Sequence, residues 1–217
     1  MSKLIGICGL KGAGKDTIAK MMPIEWKKMA FADTLKDITA MLFGWERFML
    51  EGSTEQSREW RETVSNFWEK ELGIKGFTPR MALQMLGTEV FRNHFNQDIW
   101  VKVLKHRIIN SNDNIVVTDV RFPNEVNMIK ELGGKIVQVI RGDLPEWWPV
   151  AEEWNKEEHL PEGEPLGFID KDGNLISIHP SEYSLAGIIE PDYIIHNDSD
   201  LGFLHTKVDD MLNRLYS

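Results

Sequence analysis

The sequence predicts an α/β fold built on a mainly parallel sheet, and three observations point to it. Four short apolar runs, at residues 3–8, 114–121, 135–141 and 192–198, read as strands buried on both faces. Stretches with helical spacing separate them, the alternation expected where helices carry the chain between parallel strands. The length of 217 residues and a hydrophobic content of 42% suit one compact domain with a buried core.

Taken in order, residues 3–8 end in glycine and lead into helical character at Thr17–Met22. Residues 29–51 carry helical periodicity through Leu35, Ile38, Met41 and Leu42. Residues 55–72 predict one amphipathic helix with Trp60, Val64, Phe67 and Trp68 on one side, closed by Gly73 and Gly76. Pro79 opens a long helical stretch, and Ile99–Ile109 gives another. NIVVTDVR, 114–121, is a buried strand, after which Pro123 starts a helix that ends at Gly133 and Gly134. KIVQVIR, 135–141, is the third strand. An acidic, proline-rich interval, 142–167, precedes a hairpin around Asp172-Gly173. DYIIHND, 192–198, is the fourth core strand and 201–216 the final helix. The chain has no internal repeat and no low-complexity tract.

Composition removes several classes of function. The net charge of −9 argues against a dedicated nucleic-acid binder, which normally carries a basic patch. Residues 142–178 hold ten acidic residues and two lysines, so this segment supplies −8 of that charge. The single cysteine, Cys8, rules out an intrachain disulfide and a multi-cysteine zinc site, and its apolar surroundings predict a buried structural thiol. No apolar run is long enough to cross a bilayer, and the first residues lack the pattern of a signal peptide. The expectation is a cytoplasmic protein with no membrane partner.

The chemistry begins at 9-GLKGAGKDTIAK-20. This is the phosphate-loop spacing G-x-x-x-x-G-K after a strand and before a helix, with Asp16 in place of the usual Ser or Thr. Gly9, Gly12 and Gly14 permit the backbone to turn its amides inward, so that Lys11, Gly12, Ala13, Gly14, Lys15, Asp16 and Thr17 form a cradle for an anion. Lys15 supplies a point charge to the β and γ phosphates. Asp16 facing out of the cradle can ligate Mg²⁺, and Thr17 offers a hydroxyl one position later.

At 118-TDVRFPNE-125 a strand ends in Asp119 with Arg121 two residues on. Open α/β sheets bind ligands at the carboxyl ends of their strands. Asp119 there can hold Mg²⁺ through water, and Arg121 can clamp an oxyanion; alternatively the two pair with each other at the surface. Arg80, Gln84, Thr88 and Arg92 fall at four-residue spacing on one helical stripe. That stripe either seats a phosphorylated small molecule or is a solvated polar face. His94, His106, His179 and His196 show no paired spacing in a metal-binding context, so no zinc site is expected. Trp147, Trp148 and Trp154 either form a base-stacking surface or pack a flap against the body of the protein.

Together GLKGAGKDT, FADTLKD at 31–37, LQMLGTEVFRNHFNQDIWV at 83–101, VVTDVRFPNEV at 116–126, IVQVIR, HPSE at 179–182 and DYIIHND resemble the deoxynucleoside monophosphate kinases of tailed bacteriophages, among the P-loop nucleotide kinases. The loop of that family typically reads GKDT, so Asp16 matches it. The resemblance implies a P-loop NTPase three-layer sandwich of the nucleoside monophosphate kinase kind. One domain would span 1–217, with a monophosphate-binding helical region at 31–100 and a lid-like insertion at 142–178. It implies transfer of the ATP γ-phosphoryl group to a deoxynucleoside monophosphate, with Mg²⁺ near Asp16, Thr17 and Asp119. Lys36, Arg80, Arg92 and Arg121 are then candidates for the acceptor phosphate and the transferring group, and Gln84 and Thr88 for the nucleoside pocket. Lys15, Arg121 and Arg141 are the candidate catalytic residues. A homodimer in the host cytoplasm is expected.

The lid departs from the family pattern, because 142–178 holds no arginine and its one histidine is His159. The arginine a lid usually contributes must then be Arg141, Arg121 or a residue elsewhere. His179 and Glu182 match a family feature whose role is either a structural cap or catalysis. Three other readings remain at this stage: a phosphomevalonate-kinase-like enzyme, an ATP-binding sensor without turnover, and an ATP-dependent nucleic-acid protein.

Overall fold

The computed structural model describes residues 2–156 and 165–216. In chain order the elements are β1 (Leu4–Cys8), α1 (Lys15–Met21), β2 (Trp26–Met29), α2 (Asp33–Phe43), a 3₁₀ turn (Arg47–Glu51), α3 (Glu55–Glu62), α4 (Asn66–Leu72), α5 (Pro79–Gln84), a π-helical run (Met85–Asn93) and α6 (Ile99–Ile109). Then follow β3 (Asn114–Val120), α7 (Pro123–Glu131), β4 (Lys135–Ile140), α8 (Trp148–Lys156), β5 (Leu166–Ile169), β6 (Leu175–Ile178), α9 (Pro180–Tyr183), β7 (Tyr193–His196) and α10 (Leu201–Tyr216). They divide into two compact units, residues 1–30 with 108–217, and residues 31–107.

The first unit is a five-stranded sheet in the order β2-β3-β1-β4-β7, and every pairing in it is parallel. Alternate residues of a strand point to opposite faces, which sorts the core into two layers. Ile5 and Ile7 of β1, with Val116, Val137, Val139 and Ile195, pack against Ile18 of α1 and Leu204, Val208 and Met211 of α10. On the other face Gly6 lies against Ile129 of α7, close enough that an added Cβ would meet the Ile129 Cδ1 at 2.4 Å. The result is helix, sheet, helix. The antiparallel β5–β6 hairpin turns at Asp172-Gly173 and forms a separate two-stranded sheet.

The second unit is helical. Its centre is aromatic: Phe43 stacks on Trp45 at 4.6 Å and meets Trp68 edge-on at 5.1 Å, with Phe77 fully buried beside them. The Trp68 indole N–H donates to the Phe43 carbonyl at 3.1 Å. Arg47, in the 3₁₀ turn, ties that turn to the first half of α2 through Asp33 and Asp37, and pairs with Glu51 within the turn.

The strand β2 and the short helix α9 were not expected, and four predicted stretches differ from the expectation. The periodic stretch 29–51 stops at Gly44, which takes a left-handed cap, and resumes only as the 3₁₀ turn. The stretch 55–72 is two helices, because Thr63 is extended and the Ser65 N–H turns away to the Phe77 carbonyl. The stretch after Pro79 changes from α to π geometry at Met85, a rare arrangement that recurs at functional sites. Inside the acidic interval, Trp148–Lys156 is a helix, with Pro149 in the first turn where its missing N–H costs nothing.

Candidate functional site

The carboxyl ends of β1, β3, β4 and β7 lie along one edge of the first unit's sheet, and chemistry-bearing side chains gather there. The loop after β1 makes the tightest approach. Gly9 has φ +141°, and an added Cβ would stand 2.3 Å from the Val139 carbonyl oxygen of β4. Gly9→Ala is therefore expected to cost roughly 2–4 kcal/mol, read from the urea midpoint; an unchanged midpoint contradicts this packing.

Lys15 opens α1 and folds back over the loop, its ammonium donating to the carbonyls of Gly9 at 2.7 Å and Leu10 at 2.8 Å. Burial lowers its pKa from the ordinary 10.5, and the Arg121 guanidinium lowers it further, while Glu182 and Asp16 oppose the change. Lys15, Arg121 and Glu182 thus share one electrostatic neighbourhood. The Arg121 Nη1 donates to Ser181 Oγ at 3.1 Å and Glu182 Oε1 at 3.2 Å. The other Glu182 oxygen accepts the Lys11 backbone N–H at 3.1 Å, so this carboxylate bridges the loop after β1 and Arg121.

Three further residues brace the loop or Arg121, and the sequence reading missed them. Glu125 is 4% exposed, and its Oε2 accepts the backbone N–H groups of Arg121 at 2.7 Å and Phe122 at 3.1 Å. The signal was present: proline at the first helical position and Glu at the third form half of a capping box. Asn197, just past β7, donates to the Ala13 carbonyl at 2.8 Å. Lys28 of β2 reaches Asp16 at 2.5 Å, where both side chains are largely exposed.

The remaining candidates of this unit are placed as follows. Thr17 is on α1, half-buried, and Asp119 is half-buried near the end of β3. Arg141 follows β4, with its Nη1 3.5 Å from the Gly12 carbonyl oxygen. His179 caps α9, its Nδ1 accepting the Ser181 N–H at 3.2 Å. Cys8 is buried, and burial pushes its thiol up to about 12, which removes it as a nucleophile. Trp148 is buried with Ala151, Leu166, Ile178, Tyr183 and Ala186, and Leu10, Trp147 and Trp154 pack against that cluster. The tryptophans are packing residues. His159 and the 157–164 portion of the lid segment lie outside the described residues.

Asp16 and Thr17 present hard oxygens at the start of α1, a donor set that suits Mg²⁺. Among the described residues no group of three His, Cys, Asp or Glu forms a metal cage, and Mg²⁺ beside phosphates uses only one or two protein carboxylates.

In the second unit, Lys36 of α2 is 15% exposed in its side chain and pairs with Glu51 at 2.7 Å. Arg80 of α5 pairs with Glu62 of α3 at 3.3 Å, both exposed. Gln84 and Thr88 are exposed, and Arg92 is half-buried. The Trp100 indole N–H fixes the π-helical run by donating to the Gly87 carbonyl at 2.9 Å. Among the described residues no helix is long and apolar enough to cross a membrane.

The family profile Deoxynucleotide monophosphate kinase matches residues 53–179. A chain from Acanthamoeba polyphaga mimivirus, provisionally named a deoxynucleotide monophosphate kinase, is 33% identical over 156 residues, covering 64% of this chain and 74% of that one. The deoxynucleoside-5′-monophosphate kinase of Escherichia phage T5 is 25% identical over 183 residues, covering 60% of this chain and 73% of that one. A dephospho-CoA kinase from Campylobacter jejuni aligns over 99% of this chain and 97% of its own, with a TM-score of 0.44 and 14% identity. With the profile spanning more than half of its residues, this chain belongs to the deoxynucleotide monophosphate kinase family.

Proposed function

We propose that the protein transfers the γ-phosphoryl group of ATP to a deoxynucleoside 5′-monophosphate, giving the diphosphate and ADP. The observation that carries the reading is the convergence of Lys15, Arg121 and Glu182 at the carboxyl edge of a parallel sheet. Membership in the family supports the same chemistry.

Phosphoryl transfer asks for position and charge neutralisation more than covalent chemistry. The acceptor's phosphate oxygen is ionised near neutral pH and attacks the γ-phosphorus directly. A bond forms between that oxygen and phosphorus, the bond to the β–γ bridging oxygen breaks, and ADP leaves with the electron pair. No general base is needed. Lys11, Gly12, Ala13, Gly14, Lys15, Asp16 and Thr17 would hold the ATP phosphates, with the Lys15 charge on the β and γ oxygens. Mg²⁺ held by Asp16, Thr17 and Asp119 would neutralise the same oxygens. For Asp16 to do this, its exposed pairing with Lys28 must yield, and a pair this exposed is weak. Arg121 and Arg141 would stabilise charge on the transferring group. In the second unit Lys36, Arg80 and Arg92 would take the acceptor's phosphate, and Gln84 and Thr88 its nucleoside. The segment 142–178 would act as the lid, in a homodimer working in the host cytoplasm during phage DNA synthesis.

ADP release with ATP and Mg²⁺ against dTMP, dGMP, dCMP, dAMP, their ribo counterparts and phosphomevalonate tests the proposal. Strong dependence on one or two deoxynucleotides is expected. Release that ignores every acceptor would overturn it, and release driven by phosphomevalonate would replace the acceptor.

A further inference from the structure

Glu182 stands where the cations of the site converge, although phosphoryl transfer gives a carboxylate there nothing to do. One of its oxygens accepts the Lys11 backbone N–H at 3.1 Å, and the other accepts from the Arg121 Nη1 at 3.2 Å. Its charge also reaches Lys15: burial lowers the Lys15 pKa most, Arg121 lowers it further, and Glu182 raises it back. A loop amide, a guanidinium and an ammonium are the donors that a terminal phosphate would take. In the empty site one carboxylate holds two of them and offsets the charge of the third.

A carboxylate and a phosphate cannot share these donors without like charges meeting at hydrogen-bond range. The geometry favours the carboxylate as the group that yields. Both of its contacts are longer than the about 2.8 Å usual for charge-assisted bonds. Its side chain is also 24% exposed, so the pairing is open to exchange with water. The helix beneath it is firmly held. Tyr183 is buried with Trp148 and Ala151, and the Asn155 amide donates to the carbonyls of Tyr183 at 2.8 Å and Ala186 at 2.9 Å. A change at Glu182 is therefore a turn of its side chain over a fixed α9.

We propose that Glu182 occupies the place of the terminal phosphate of ATP in the empty site and turns away when that phosphate arrives. This rests on the kinase reading and adds to it a residue that sets the affinity for ATP against ADP. While no nucleotide is bound, the carboxylate keeps Lys15 and Arg121 from repelling each other. ADP lacks the displacing phosphate and leaves Glu182 where it is.

The test is calorimetric binding of ATP and of ADP, each with Mg²⁺ and no acceptor, to the wild-type chain and Glu182→Gln. Glutamine keeps the shape and an oxygen for the Lys11 N–H, but not the charge. It is expected to tighten ATP about tenfold, the worth of a charge-assisted contact that no longer has to be displaced, and to leave ADP unchanged. The melting temperature of the empty variant is expected to fall by about 2–4 °C with the loss of the Arg121 pair. A plain brace would lose stability and ATP affinity together. ATP affinity that stays the same or weakens overturns this inference while the kinase reading stands, and so does an equal tightening of ADP. A wild type that binds neither nucleotide overturns both. A crystal structure of the wild type with a non-hydrolysable ATP analogue decides the matter without a variant: Glu182 is expected off Arg121, and a Glu182 still paired with it overturns the inference.

Discussion

Replacing Lys15 with methionine is expected to lower kcat by roughly 10²–10³-fold while the chain still folds. Methionine keeps most of the unbranched side chain and removes its charge. The ammonium now donates to Gly9 and Leu10, two carbonyls of the loop it serves, so it is already positioned beside the cradle. Charge on the transferring oxygens is greatest in the transition state, so kcat should fall by more than KM for ATP rises. The same residue has a second readout. Its folded pKa is lowered below 10.5, chiefly by burial, so between those two values the unfolded chain binds more protons. The wild type should therefore gain stability on Lys15→Met as pH climbs through that window. Urea unfolding of both proteins from neutral pH to 10.5 measures it, and a constant difference would show that Lys15 is not desolvated.

Arg121→Lys is expected to lower kcat by about 10³-fold, comparable to the loss of an arginine that stabilises the transferring group. Lysine preserves the charge but cannot present parallel N–H donors. Arg121 is held from two directions: its backbone by the buried Glu125, and its guanidinium by Ser181 and Glu182. That support means the substitution should cost catalysis far more than stability. A variant with near-normal kcat would remove Arg121 from the transition state and leave it as a strut between β3 and α9.

The sheet was legible because β1, β3, β4 and β7 are apolar runs bounded by turns, the pattern of strands buried on both faces. β2 was not: Trp26–Met29 is an edge strand in which only Met29 is buried, and two of its four residues are lysines. The break between α3 and α4 was hidden because Thr63, Val64 and Ser65 include no glycine or proline, and a long-range bond to Phe77 decides it. The glycine-rich turn between β1 and α1 was readable from spacing alone. Its braces were not, since Glu182 of α9 meets Lys11, and Asn197 meets Ala13, only after the fold brings distant segments together.

The most direct test of the central claim follows the phosphorus itself. ATP labelled at its γ-phosphate, Mg²⁺ and each deoxynucleoside monophosphate are incubated with the protein, and the products are separated. Label in a deoxynucleoside diphosphate, in equal amount to the ADP formed, is the expected result. Label found only in inorganic phosphate, or retained in ATP with every acceptor, would contradict it.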